Sequence, residues 1–264
     1  MTHSREAERP AEIKDAIRAF YASEAGDRDS EAWLEWGGTA RVPEPGASHY
    51  FIDRKVATAL ALAPAPPESR VLEVGCSFGH MTFLLTERFR AVTAVDLSAE
   101  SIALAARRAQ RYGVKNVRFL EADAEHLGMF EPGEFEAVFS FSTLRFCPHP
   151  DAVLGELFRV AAPGGRVVVD VPNRNCPWYG PIKRAAGIRA HIHDRLFERR
   201  EIEGMMRAAG FEEVRSRHIL FTTKRMPEAL LPVSRLADRV LEPLPGIRGL
   251  SGIIMTGGRK PGAR

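Results

Sequence analysis

Cysteine is scarce in this chain: Cys76, Cys147 and Cys176 are the only three in 264 residues. No two stand at CxxC spacing, which argues against a disulfide framework or a cysteine-based zinc site and points to a reducing compartment. Long apolar runs are missing too. No stretch approaches the ~18 uninterrupted apolar residues of a membrane span. The polar opening MTHSREAERP lacks the apolar core of a secretory signal. A cytoplasmic protein without stable membrane insertion is therefore expected. There is no internal repeat and no low-complexity tract, so solenoid and fibrous classes drop out. The net charge of +3 gives little support to nucleic acid as a partner. With 45% hydrophobic and 27% charged residues, an ordinary globular chain remains, long enough for one enlarged α/β domain.

The charge is unevenly placed. Between Arg174 and Arg225, twelve Lys and Arg stand against six Asp and Glu. A solvated surface explains this, and so does an anionic acceptor or a membrane surface. Lys183, Arg184 and Arg189 are the candidates for steering an anion.

Residues 1–66 read as a helical N-terminal cap or lid. Ile13, Ile17 and Phe20/Tyr21 recur at helical spacing, and a second helix is expected over about 49–62, stopped by the prolines at 64, 66 and 67. From Arg70 the pattern changes. Short apolar runs at 71–75, 91–96, 117–123, 135–141 and 165–172 alternate with helical patterns at about 80–88, 98–112 and 150–161. That alternation predicts βαβ units: a Rossmann-like α/β fold, doubly wound, with helices on both faces. Ser98 is placed to cap the second of these helices. An irregular insertion, 173–197, follows the fifth strand. A helix over about 198–209 and two apolar runs, 211–223 and 250–258, complete a mostly parallel seven-stranded sheet within a 67–264 domain. The stretch 228–244 reads as an amphipathic helix broken by prolines. Its apolar side either packs on the sheet or faces a lipid-like acceptor.

The sharpest local feature is the turn Glu73-Val-Gly75-Cys76-Ser77-Phe-Gly79 after the first strand. Glycines there allow a tight turn into a helix and a close approach of ligand to backbone. A dinucleotide fingerprint fails, because its second and third glycines would fall on Ser77 and His80, and no GK[ST] follows for a phosphate loop. Asp96 ends the second strand, where an acid can accept from two ribose hydroxyls. Asp123 and Ala124 end the third, where an acid and a small residue can receive an adenine amino group and its ring. Either acid alone is explained as a helix cap; both together, after this turn, are not.

The segments VLEVGCSFGHMT, AVDLS, EADAEHL, FEAVFSFSTLRF and ELFRVAAPGGRVVV, with LFERREIEGMMRAAGFEEV beyond them, resemble in order and spacing the successive motifs of the class I S-adenosylmethionine-dependent methyltransferases, in particular the small-molecule group. The resemblance spans about 70–258. One departure is Ser77, where the family usually has glycine. The resemblance implies S-adenosyl-L-methionine as cofactor. It has Glu73 orient the turn and help hold the methionyl ammonium, directly or through water, with Gly75, Cys76, Ser77 and Gly79 along the methionyl part. Asp96 and Leu97 fall at ribose and adenine, Asp123 and Ala124 at the adenine edge, and Ser140 beside the methionyl group. An aromatic residue of the N-terminal helices, Tyr21 or Tyr50, is expected to cover the cofactor; core packing is the equal alternative for both.

The acceptor is less legible, because a methyl group on a sulfonium needs alignment and dryness more than a strong base. His149, His191 and His193 are candidate bases, and Arg145 is a candidate anion or carbonyl ligand. His191 and His193 lack a recognisable third ligand, so no metal is expected. The Asn/Asp-Pro-Pro-aromatic motif of base-modifying relatives is replaced by SFSTLRF, which again argues against nucleic acid. The expectation is methyl transfer to a small-molecule acceptor, anionic or lipid-like, with O-methylation preferred; a homodimer is left open. The alternatives are a cofactor-dependent tailoring enzyme without methyl transfer and a non-catalytic cofactor-binding protein.

Overall fold

The computed structural model describes residues 9–28, 46–177, 194–222 and 228–262. His191, His193, Lys183, Arg184 and Arg189 lie outside these residues. Helices α1 (Pro10–Arg28) and α2 (Gly46–Leu62) precede β1 (Arg70–Val74), α3 (Thr82–Thr86), β2 (Ala91–Asp96), α4 (Ala99–Arg111) and β3 (Val117–Glu121). Then follow β4 (Phe135–Phe141), α5 (Pro150–Val160), β5 (Ala161–Pro172), α6 (Arg199–Ala208), β6 (Glu212–Ile219), α7 (Leu231–Leu241) and β7 (Ile253–Arg259).

The seven strands form one sheet in the order β3-β2-β1-β4-β5-β7-β6. β3, β2, β1, β4 and β5 are parallel neighbours, and β7 runs antiparallel to both β5 and β6. The doubly wound, mostly parallel α/β architecture expected from the alternating runs is the one found. Its central strands are apolar on both sides because both faces are covered. Val71 and Val168 belong to one core, with Phe51, Val56 and Met255, whereas Leu72, Val167 and Val169 belong to the other, with Leu154, Leu157 and Ile202. Adjacent residues of one strand thus feed opposite layers. Helix α2 shares the first of these cores with the strands.

Local signals place the joints. The Ser98 hydroxyl accepts from Ser101 N at 3.1 Å and caps α4. Gly164, at φ +77°, lies inside β5, between Ala161 and Arg166, where the pairing with β4 shifts register. β5 begins earlier than its apolar run, since Ala161 already pairs with Phe135 before the register shifts to Arg166 opposite Ala137. Strand order reverses at β1, between β2 and β4. That is the switch point where open α/β sheets leave a crevice at the carboxyl ends of their strands.

Helix α7 departs from the rule that a helix buries its apolar side. Ser234 and Asp238 are its buried residues, while Val233, Leu236 and Val240 are exposed. The Asp238 carboxylate accepts from Phe221 N at 2.6 Å and from the Thr222 hydroxyl at 2.9 Å. The polar side of the helix therefore anchors it, and its apolar side does not pack on the sheet.

Candidate cofactor and acceptor site

A cavity of about 300 Å³ opens at the switch point. Its floor is the β1–α3 turn. Gly75 sits at φ +81°, and a Cβ there would fall 1.9 Å from Thr143 Oγ1, so the crossing of this turn with the chain after β4 admits only glycine. Gly79 also has φ +81°, with the Phe83 ring where a Cβ would go. Ser77 adopts φ +48° without being glycine. Its N–H donates to Asp96 Oδ2 at 2.8 Å, which offsets the strain. Arg108 of α4, buried, donates to the Phe78 carbonyl at 2.5 Å and holds the same turn from behind.

Asp96 lies at the end of β2 and accepts also from Ser98 N, at 3.0 Å. Burial pushes its carboxyl above the ordinary range, and the backbone N–H groups of Ser98 and Ser77 pull it back only in part. Leu97, Ala122 and Ala124 line the cavity beside it, leaving an apolar slot. Asp123 faces the cavity as well, but Lys14 of α1 bridges it to Glu125, 2.6 Å from each. Against the upward push of burial, Lys14 and the Glu125 N–H hold the Asp123 carboxyl below its usual range. Asp123, Glu125 and His126 stand close enough to share one cation, and the Lys14 ammonium supplies positive charge there.

Helix α1 forms the opposite wall through Lys14, Ile17, Phe20, Tyr21 and Glu24. Tyr21 packs edge-on against Phe78 and Phe146, at 6.3 and 6.2 Å between ring centroids. Tyr50, the other aromatic candidate, is not at this cavity. It lines a second one, beneath the Arg235 guanidinium.

Several sequence candidates sit elsewhere. Glu73 and Ser140 do not line the cavity. Glu73 is buried and accepts from the Thr82 hydroxyl at 2.6 Å, and Ser140 Oγ donates to the Val74 carbonyl at 3.0 Å. Both therefore brace β1 and its turn from within. Gly79 shapes the turn without facing the cavity. Arg145 does not face the cavity either: its guanidinium is held by Asp194 through two contacts, at 2.6 and 2.5 Å. His149 is exposed at the start of α5, and its backbone N–H donates to Glu125 Oε1. Among the described residues, the histidine that does line the cavity is His80. Cys76 and Cys147 line it too, but burial pushes both thiols up, Cys147 to about 12, so they stay protonated.

Burial also lifts the Glu73 carboxyl to about 8. Its folded value lies above its unfolded one. The stability it contributes is thus fully present below the ordinary carboxylate range and is lost as pH rises through about 8. Thermal melting of the unliganded protein should fall across that window, and Glu73→Gln should flatten the slope. An unchanged slope in the variant would place the titrating group elsewhere.

The most consequential residue that the sequence reading missed is Lys55 of α2. Fully buried at the cavity edge, its ammonium is 2.9 Å from Asp170 Oδ1 on β5 and donates to Ser142 Oγ at 2.8 Å. Ser142, at φ +56°, also donates its N–H to Asp170 Oδ1 at 3.2 Å. The available signals were the single lysine of α2, next to Asp53 and Arg54, and a lone acid in the run GRVVVDVP.

The donor set fits S-adenosylmethionine. A buried acid is available for ribose hydroxyls, an apolar slot for a flat base, a buried cation for a carboxylate, and a bare glycine turn for close approach.

Comparison with known proteins agrees. Residues 72–169 match the family model described as a methyltransferase domain. The demethylmenaquinone methyltransferase of Thermus thermophilus is 42% identical over 119 residues, 44% of this chain and 52% of that protein. The ubiquinone biosynthesis O-methyltransferase of Pseudomonas fluorescens is 33% identical over 106 residues, 40% of this chain and 45% of that one. The chain thus spans about half the length of the curated relatives it matches. The magnesium protoporphyrin IX methyltransferase of Synechocystis, solved with bound S-adenosylhomocysteine, shares the fold with TM-score 0.63 at 16% identity, covering 94% of this chain and 99% of that chain. With the glycine turn, the strand-end acids and the strand order already in place, residues 72–169 are similar to the methyltransferase domain, and the solved neighbour shows that the fold is shared.

Proposed function

We propose that this chain transfers the methyl group of S-adenosylmethionine to a flat, aromatic small molecule, with an oxygen as the methylated atom. One observation carries the reading. The cavity is lined both by polar groups, the β1–α3 turn and Asp96, and by the rings of Phe20, Tyr21, Phe141 and Phe146. S-adenosylmethionine, when bound, supplies a methyl group already activated by its sulfonium. Asp96 accepts from the ribose hydroxyls, Leu97 and Ala124 flank the base, and Lys55 takes the carboxylate of the amino-acid end. Lys14 ties α1 to Asp123 and Glu125 beside the base. Orientation of the acceptor oxygen by the aromatic walls supplies the remaining requirement, alignment. The two curated relatives are named for quinones and one is named as an O-methyltransferase, which supports an acceptor of this shape and polarity.

Incubation with cofactor carrying an isotopically labelled methyl group and a panel of hydroxylated aromatic and quinol acceptors tests this. Mass spectrometry should find the label on one acceptor, lost when its hydroxyl is blocked. Label on carbon or nitrogen would overturn the O-methylation assignment. A rearranged, unlabelled product would overturn methyl transfer itself.

A further inference from the structure

A second cavity, of about 780 Å³, lies on the far side of α2, between β6, α7 and the turn at 247–250. Six arginines line it: Arg54, Arg199, Arg217, Arg235, Arg239 and Arg248. Among the described residues only two acids do, and both are committed. Asp238 accepts from Phe221 N and the Thr222 hydroxyl, and Glu242 accepts from Leu220 N at 3.0 Å and pairs with Arg54. Arg199 pairs with Glu203, and Arg235 lies over the Tyr50 ring. Arg217, Arg239 and Arg248 have no acidic partner among the described residues. The concentration of positive charge is felt by His218 in the cavity wall. After burial, the charges of Arg199 and Arg248 hold its imidazole below the ordinary range.

Helix α7, which forms one wall of this cavity, is apolar on its outer side. At 100° per residue, Ser234 and Asp238 point inward, Arg235 and Arg239 lie on one flank of α7, and Val233, Leu236 and Val240 lie opposite the buried pair. Val233 is 64% and Leu236 60% exposed. Beyond the helix, Leu244, Ile247 and Leu250 are exposed too, as is Arg248. Exposed apolar residues on a helix whose polar side is buried mark a surface built for contact. The unpartnered arginines beside it specify the charge of what it contacts. No helix among the described residues is long and apolar enough to cross a membrane, so contact with lipid would be interfacial.

From the apolar face and the arginine cavity that adjoins it, we infer that α7 and the turn at 247–250 form a docking surface for an anionic phospholipid membrane. The helix lies in the interface plane, with Val233, Leu236 and Val240 among the acyl chains near the headgroups. Lipid phosphates enter the cavity and meet Arg239, Arg248 and Arg217, whose planar guanidinium groups pair with phosphate oxygens. This binding does not depend on methyl transfer and places the cofactor cavity across α2 from the lipid.

Sedimentation of the full chain with vesicles tests the inference without any activity measurement. Vesicles of phosphatidylcholine alone are compared with phosphatidylcholine containing phosphatidylglycerol. The wild type should bind the anionic vesicles and be released as salt rises. The triple variant Val233→Ser/Leu236→Ser/Val240→Ser should lose binding. Arg239→Gln/Arg248→Gln should reduce partition by about fivefold per arginine. All five positions are exposed, so both variants should melt like wild type and bind S-adenosylhomocysteine unchanged. Equal partition of wild type and triple variant into anionic vesicles would overturn the inference, as would equal binding to neutral and anionic vesicles. So would a lipid-free dimer that the triple variant converts to monomer, because the face would then be covered by a second copy. Vesicle binding lost with the arginines but kept by the triple variant would reduce the site to a phosphate pocket and also overturn it.

Discussion

Replacement of Asp96 by alanine should abolish useful cofactor affinity while leaving a folded protein. The carboxylate is asked to accept from two ribose hydroxyls, and hydrogen bonds to a charged group contribute about 1.5–3 kcal/mol each. The loss is therefore about 3 kcal/mol or more, a weakening of at least about a hundredfold. The structure adds a second cost. Ser77 N and Ser98 N both donate to this carboxylate, so alanine also releases the acceptor that holds Ser77 in its positive-φ conformation. Asparagine should not rescue. Its amide nitrogen would face one of those two N–H donors, and its oxygen carries no full charge. Titration calorimetry with S-adenosylhomocysteine measures the affinity, and melting without ligand reports the fold separately. Binding by Asp96→Ala within threefold of wild type would remove Asp96 from the ribose site.

Asp96 was legible because local constraints expose it. A short apolar run, an acid at its end and a capping serine two residues later occupy one continuous stretch. The period-2 and period-3.6 patterns are likewise local, and for the same reason the runs at 71–75, 91–96 and 135–141 match β1, β2 and β4 closely. What failed to show were partnerships between distant segments. Lys14 reaches Asp123 across 109 positions and Lys55 reaches Ser142 across 87, and no periodicity carries that information. The same limit explains why some site candidates lie off the cavity wall. Glu73 sits in the most recognisable motif of the chain, yet its side chain points into the fold, toward Thr82. Arg145 follows β4 as an anion ligand would, but Asp194, 49 positions away, holds it. Helix α7 was recognised as amphipathic, yet amphipathicity fixes only that two sides differ. Which side turns inward was decided by Asp238, whose carboxylate satisfies the Phe221 N–H and the Thr222 hydroxyl.

The other large effect concerns the pair that no local pattern reveals. Lys55→Met should destabilise the protein by about 3–5 kcal/mol, because it leaves the Asp170 carboxylate buried without its cation. For a chain of this length that is a drop of roughly 10 °C in melting temperature. Lys55 and Asp170 are 1% and 0% exposed, so solvent screening cannot soften the loss. Burial drives the Lys55 ammonium below its ordinary range, and the Asp170 charge opposes that drift. The site therefore needs both partners or neither. Lys55→Met/Asp170→Leu should recover most of the lost stability, since a well-packed apolar pair commonly replaces a buried ion pair at little cost. Stability and binding should then separate. The double variant lacks the buried cation assigned to the carboxylate of the cofactor's amino-acid end. Among the described residues of the cavity wall the other lysine is Lys14, which bridges Asp123 and Glu125. Affinity for S-adenosylhomocysteine should thus fall by tenfold or more in a protein that melts near wild type, given about 1.5–3 kcal/mol for a charged hydrogen bond. 5′-Methylthioadenosine, which has no amino-acid end, should bind wild type and double variant alike. Equal affinity of both proteins for S-adenosylhomocysteine would show that the Lys55–Asp170 pair only ties α2 to the sheet.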